Sequence, residues 1–358
     1  MSEVLIIGAG AIGLMTAHFL HQAGVSVTLV DKGKVGGEST WAGGGMLSPM
    51  YPWRYPAAVS VLFKRSHALY PALMQQLKLD SGIDPEFIQS GMLMLKTEKS
   101  AAIENWSQQF AMPVEFLDLH QVNSIEAALK PTHAPAVFLP DVYQVRNPRF
   151  IQALKISLEK AGVLILEDTS IKKLLIKQQQ VIGAETEHGL IEADKVLVAS
   201  GAWSRSLLET ADIKTNIHPV KGEMLCLKTK PGLIKTLLLS EGRYLIPRKD
   251  GHILVGSTQE HVGFDKTLNP AVKNDLYDFA VALLPQLQHA EIVTQWAGLR
   301  PGSVDAVPTM GQCADIDGLF VCAGHYTNGL ATGAASAELM KDLMTGKLPL
   351  LATDTYTL

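Results

Sequence analysis

Three glycines and an acid near the start of the chain have the types and spacing that bind a dinucleotide. Gly8, Gly10 and Gly13 form a Gly-x-Gly-x-x-Gly run, and Asp31 follows about twenty residues on. Gly8 permits a tight turn, and Gly10 lets backbone N–H groups approach a pyrophosphate at a helix N-terminus. Gly13 lets helix and strand pack closely, and Asp31 is placed to accept from ribose hydroxyls. The motif predicts an adenine dinucleotide and does not separate FAD from NAD. A second concentration of backbone donors, GKVGGESTWAGGGML, runs from Gly33 to Leu47 and carries six glycines with Ser39 and Thr40 among them. Such a loop can follow a diphosphate and the edge of a planar ring, and an NAD enzyme has little use for it here. The alternative is a mobile surface loop, against which Trp41 and Met46 place apolar side chains in the stretch. Further on, SGAWS at 200–204 closes a strand in small residues, Gly201 among them, as backbone passing close to a cofactor requires.

These residues need elements to hold them. Apolar strands are expected over 4–7 and 25–30, the second ending on Asp31, with a helix over 11–23 between them closed by Gly24. A helix is expected over 59–79 and a strand over 91–95, followed by a mixed segment to Tyr143. The aromatic run YPWRY at 51–55 reads as a lid, a pocket wall or a turn covering the core. Asn147 and Pro148 read as N-cap and first helical residue, with Gly162 as the stop. Short strands follow over 163–166, 171–176, 181–186 and 195–199. Strands over 222–228, 243–248 and 253–256 come next, the last two joined at Asp250-Gly251 as a hairpin that places Tyr244 and Ile246 on one face and Leu245 on the other. A helix over 269–284 precedes a strand over 295–299 that runs into Arg300. A final strand over 319–323, a turn and a helix over 330–344 close the chain, and that helix aims its positive end past the turn. The pattern predicts an α/β plus α+β architecture. A Rossmann-like nucleotide domain is assembled from 1–75, 144–217 and 300–358. A discontinuous second domain, 76–143 and 218–299, is built on a mainly antiparallel sheet.

Composition narrows the partners. At 358 residues, 47% hydrophobic and 18% charged, with a formal net charge of −4, the chain is a globular protein with no basic excess for nucleic acid or an anionic membrane. The apolar stretch 4–20 is interrupted by the three glycines and preceded by Glu3, which argues against a signal peptide or membrane anchor. Cys226, Cys313 and Cys322 form no C-x-x-C pair, which fits a reducing compartment; the expected location is the cytoplasm. The His residues are dispersed, and no metal site is expected.

Taken together, VLIIGAGAIG, GGESTWAGGGMLSPMYPWRYP, VRNPRF, LVASGAWS, VKGEMLCLK, RYLIPRKDGHILVGST, WAGLRPGS and GHYTNGL resemble, in order, the D-amino acid oxidase family of FAD enzymes. Within it they are similar to the glycine-oxidising branch linked to thiamine biosynthesis. The resemblance implies an FAD-binding and a substrate-binding domain, with FAD held non-covalently, since no cysteine neighbours Arg300. It implies that Ala11 and Ile12 meet the phosphates, Asp31 and Lys32 the adenosine ribose, and Ser39, Thr40, Gly44, Gly45 and Met46 the rest of FAD. Ile171 would lie against adenine, and His325, Tyr326, Asn328, Gly329, Leu330 and Ala331 along the isoalloxazine. It implies that Tyr244 and Arg300 hold the substrate carboxylate. An arginine at an apolar strand end needs an anion, which is either that carboxylate or an internal acid. The branch usually has an arginine where this chain has Thr327, and a bulky apolar neighbour where it has Gln259; both enter as candidate substrate-binding residues that widen the substrate choice to sarcosine or a small D-amino acid. The implied reaction is oxidative deamination by hydride transfer to flavin N5, giving an imine and then a 2-oxo acid, ammonia or amine, and hydrogen peroxide from molecular oxygen. No acid or base is assigned. The alternatives are a dehydrogenase passing electrons to a quinone or partner, and a non-catalytic nucleotide-binding module. The family implies a homo-oligomer.

Overall fold

A computed structural model describes residues 2–129 and 134–357 of the chain. Its first sheet runs in the order Thr309–Gln312, Leu319–Ala323, Gly189–Val198, Ser2–Ile7, Val27–Val30 and Leu164–Leu166. All of these neighbours are parallel except the antiparallel edge strand Thr309–Gln312. Both faces are covered, as a parallel sheet requires. Val4 and Ile6 pack beneath Leu14, Leu20, Phe150, Leu154 and Met340 of the helices Ala11–Gln22, Asn147–Lys160 and Gly329–Met344. Leu5 and Ile7 point the other way, onto Leu174 and Val181 of the antiparallel strands Ile171–Lys177 and Gln180–Thr186.

The second sheet has eight strands, in the order Glu291–Gly302, His218–Lys228, His252–Gly256, Arg243–Pro247, Leu237–Ser240, Met92–Leu95, Ala136–Leu139 and Glu115–Leu117. Only Leu237–Ser240 with Met92–Leu95 is parallel. The alternation read from the hairpin holds. Leu245 packs on Leu276 and Leu283 of the helix Pro270–Leu283, whereas Tyr244 and Ile246 face Met224, Phe63 and Ala331 on the opposite side.

Three differences from the sequence reading have physical causes. Asn147 is the first helical residue, with Arg146 before it. Its Nδ2 donates to the carbonyls of Thr40 (2.6 Å) and Gly43 (2.8 Å), so the side chain pins the second glycine loop instead of capping the helix. The helix Ala57–Ser81 runs unbroken through position 75, and the strand Glu291–Gly302 carries Arg300 within the second sheet, opposite Val220. Both expected boundaries therefore fall inside continuous elements. The mixed segment after 95 supplies two strands and the helices Ala101–Phe110 and Leu119–Ile125, while residues 130–133 lie outside the described residues.

Candidate active site

A cavity of about 450 Å³ lies where the two sheets meet. It is lined by the first glycine turn, Asp31, the second glycine loop and the 325–330 turn from one side, and by Met224, Tyr244, Ser257 and Arg300 from the other.

The turn is built to bring backbone close. Gly8 has φ +113°, and a Cβ there would sit 2.4 Å from the Ala199 carbonyl oxygen. A Cβ on Gly13 would sit 1.9 Å from the Gly8 carbonyl oxygen, so Gly13 serves helix–strand packing and does not line the cavity. The helix Ala11–Gln22 begins without a cap from its own N-cap side chain; Thr40 Oγ1 accepts from Ala11 N–H at 3.0 Å, tying the second glycine loop to the first turn. Asp31 accepts from Ala9 N–H (2.8 Å) and Gly33 N–H (2.9 Å), one bond to each carboxylate oxygen, leaving lone pairs toward the cavity. Burial raises its pKa above the usual range, opposed by those two N–H groups. Lys32 lies with Nζ 3.3 Å from the centre of the Trp203 ring, and burial lowers its pKa against the pull of Glu38.

Across the cavity, Gly44 sits where a Cβ would come 2.4 Å from Ile246 Cδ1. Arg248 holds this loop in place. It is 7% exposed and donates to the carbonyls of Gly44 (2.7 Å) and Val145 (2.9 Å) and to Gln144 Oε1 (2.9 Å), and burial lowers its pKa to about 10. Sequence reasoning missed this pin, as it missed Trp203 and Met224; the RKDG turn after an apolar strand was the available signal for Arg248.

The 325–329 turn presents donors to the cavity. Asn328 Nδ2 is buried with no hydrogen-bond partner among the described residues, an orphan that a ligand acceptor would satisfy. His325 is 2% exposed; Ser336 Oγ donates to the Thr332 carbonyl (3.0 Å), so it accepts from His325 Nε2–H at 3.0 Å. That fixes the Nε2–H tautomer of a neutral ring, whose pKa burial lowers to about 3. Acidification should therefore destabilise the protein. From about pH 7 to pH 5 an unfolded imidazole gains a proton and the native one does not, a loss of about 2 kcal/mol at pH 5 that continues to grow toward pH 3. Calorimetry of the FAD-loaded protein should show a shallower fall in Tm over this range for His325→Gln, which does not titrate.

Tyr244 is 6% exposed, with Oη 3.6 Å from Met224 Sδ, a weak acceptor that a carboxylate oxygen readily replaces. Gly256 makes room for its ring, since a Cβ there would come 2.6 Å from it. Arg300 lies across Gly222, where a Cβ would come 2.2 Å from Nη1. Among the described residues no carboxylate lies within ion-pair distance of Arg300, which removes the internal acid as its partner. Thr327 also lines the cavity, with Oγ1 3.4 Å from Tyr55 Oη of the YPWRY segment. That segment is anchored by edge-on contact of Trp53 with Trp106 at 6.3 Å between centroids.

The cavity thus gathers Gly8, Gly10, Ala11, Ile12, Asp31, Lys32, Ser39, Thr40, Gly44, Gly45, Met46, Ile171, Gly201, His325, Tyr326, Asn328, Gly329 and Leu330 with Tyr244, Thr327 and Arg300. Ala331 is buried one residue beyond it, against the face bearing Tyr244. Gln259 is the correction: it is exposed on the segment after His252–Gly256 and does not line the cavity, because that segment turns outward to pair Lys221 with Glu260. Among the described residues no cluster of His, Cys, Asp or Glu is placed to hold a metal.

A close-approach glycine turn, an acid at its end and an unsatisfied amide over the same cavity fit the pyrophosphate, ribose and ring of FAD. Comparison with known proteins agrees. The chain is 41% identical to a glycine oxidase of Pseudomonas aeruginosa, over 99% of this chain and 98% of that one. Its fold matches the solved glycine oxidase of Geobacillus kaustophilus at TM-score 0.94 and 27% identity, covering 100% and 98% of the two chains. The glycine oxidase of Bacillus cereus matches at TM-score 0.90 and 31% identity, covering 97% and 96%. The profile described as FAD dependent oxidoreductase matches residues 3–343. Since that match takes in both sheets and every wall of the cavity, the chain belongs to the family of FAD-dependent oxidoreductases.

Proposed function

We propose that this protein oxidises the amine of glycine or a similarly small amino acid, with the substrate carboxylate bound by Arg300 and Tyr244. The observation that carries the reading is an arginine in the shared cavity whose protein partners are all neutral. Bound FAD supplies the redox chemistry, taking two electrons from the substrate C–N unit and delivering them to oxygen as hydrogen peroxide. The substrate leaves as an imine, and water converts it to the 2-oxo acid with release of ammonia or amine. The chain's own contribution is orientation. Arg300 fixes the carboxylate by charge-assisted hydrogen bonds, Tyr244 Oη adds a donor, and the Tyr244 ring closes one wall, so the α-carbon and amine are carried toward the 325–330 turn. No side chain is needed as a base when the amine binds neutral.

Anaerobic addition of glycine to the purified protein, followed through the visible flavin band, tests the reading. Bleaching that reverses on admitting oxygen is the expected result. An intact band with glycine, sarcosine and D-alanine alike would remove the proposed substrate class. A band that bleaches but recovers only with an artificial acceptor would assign the protein to the dehydrogenases. All three cysteines are free and buried, as expected of a cytoplasmic protein; among the described residues no helix is long and apolar enough to cross a membrane. The expected homo-oligomer is checked by light scattering of the FAD-loaded protein.

A further inference from the structure

Arg300 is caged by neutral oxygens. Its Nη1 donates to the carbonyls of Lys221 (3.3 Å) and Thr258 (3.1 Å), and its Nη2 to Ser257 Oγ (2.7 Å). The Lys221 carbonyl also accepts from Glu260 N–H at 3.0 Å, with Lys221 N–H returning a bond to Glu260 O at 2.9 Å, and Thr258 is held through its N–H to Glu223 O at 3.4 Å. Beneath them Lys221 and Glu223, 4% and 0% exposed, form an ion pair at 2.8 Å, and Thr258 Oγ1 accepts from Glu223 N–H at 2.9 Å. Backbone so tethered on both sides of the guanidinium is a fixed platform. Among the described residues, Ser257 supplies the only side-chain oxygen on the guanidinium, and it lines the cavity beside Arg300.

We propose that Ser257 is a positioning residue for the substrate carboxylate: its hydroxyl fixes the plane of the Arg300 guanidinium so that the remaining N–H groups face the ligand. A hydroxyl is suited to this because it accepts without carrying charge, whereas a carboxylate at the same place would neutralise the arginine and compete with the substrate. Without it the guanidinium is tethered through Nη1 alone and turns about that contact, so each carboxylate that binds must first order it. The inference rests on the reading of Arg300 as the carboxylate anchor.

The test uses FAD-loaded Ser257→Ala, Ser257→Thr, Arg300→Ala and the double variant Ser257→Ala/Arg300→Ala. Two quantities are read: steady-state kinetics with glycine, and the dissociation constant of acetate, a carboxylate without an amine, from perturbation of the flavin band. Ser257→Ala should raise KM and the acetate constant together by about 5- to 30-fold, with kcat changed less than about 2-fold. Ser257→Thr, which keeps the hydroxyl, should restore both. In the Arg300→Ala background the serine substitution should add nothing, because there is no guanidinium left to orient. If the alanine variant loses FAD, Ser257→Cys carries the same comparison with a weaker acceptor. A Ser257→Ala protein with unchanged acetate binding, or one whose effect persists without Arg300, overturns the positioning role. An Arg300→Ala protein that binds acetate as well as the parent overturns the anchor reading itself, so the two failures are distinct.

Discussion

Replacing Arg300 by alanine is expected to raise KM for glycine by about 100-fold or more while FAD content and the flavin spectrum stay unchanged. Truncating one partner of a desolvated charge pair costs about 2–5 kcal/mol, much of it the penalty of leaving the other charge unpaired in a closed site. Here the substrate carboxylate is the charge left unpaired, since among the described residues the other lysines and arginines lining the cavity are Lys32 and Lys34, with Asp31 and Glu38 on the nucleotide side, and Lys172 beside Ile171. The guanidinium grips the carboxylate and not the bond being oxidised, so its contribution is present in both bound substrate and transition state and falls mainly on KM. Loss of the arginine leaves the Lys221 carbonyl paired with Glu260 N–H and the Ser257 hydroxyl on the cavity wall, so the fold should tolerate it. Steady-state kinetics with cofactor quantified by absorbance decides the matter, and an unchanged KM would exclude Arg300 from the substrate site.

Gly8→Ala should yield a protein that no longer retains FAD and is strongly destabilised. The residue has φ +113°, where a side chain is strained, and its new Cβ would lie 2.4, 2.7 and 2.9 Å from the Ala199 oxygen, the Ala199 carbon and Ser200 Cα. These are backbone atoms just beyond the end of the adjoining parallel strand, held by Ala199 N–H to Ile7 O at 2.8 Å, and they have no rotamer by which to move aside. Relief requires separating the Ser2–Ile7 and Gly189–Val198 strands at the end that faces the cofactor. Dihedral strain and overpacking each cost about 1–3 kcal/mol. Gly24→Ala is the control, because Gly24 has φ +83° with nothing within 4 Å of the Cβ and therefore reports the dihedral cost alone. Thermal unfolding with and without added FAD should separate the two. A Gly8→Ala protein that stays yellow with parental FAD affinity would show that the turn does not cradle the dinucleotide.

Both predictions begin from residues visible in the sequence, and what was visible has a common cause. Gly8, Gly10, Gly13 and Asp31 act within one βα unit, where strand period, glycine spacing and helix start are local matters that neighbouring residues settle. The alternation that sends Tyr244 and Leu245 to opposite faces is equally local, being the period of a strand. Assignment of Arg300 to a carboxylate came from resemblance, and it is compatible with the neutral partners that surround the guanidinium among the described residues.

What no local pattern carried was the set of contacts between segments far apart in the chain. Asn147 looked like a helix cap because Asn before Pro favours one, yet its amide is drawn more than a hundred residues back to the carbonyls of Thr40 and Gly43. Arg248 closes a hairpin by its sequence and locks Gly44 by its position. Gln259, two residues after Ser257, turns outward while Ser257 turns in, a choice made by the pairing of Lys221 with Glu260. The sequence was sufficient for the nucleotide motif, the element types and the face each strand presents, since these follow from spacing along the chain. Which side chains share the cavity, and which polar groups are left free there for a ligand, depended on how two sheets drawn from interleaved segments meet, because burial and pairing are properties of that junction.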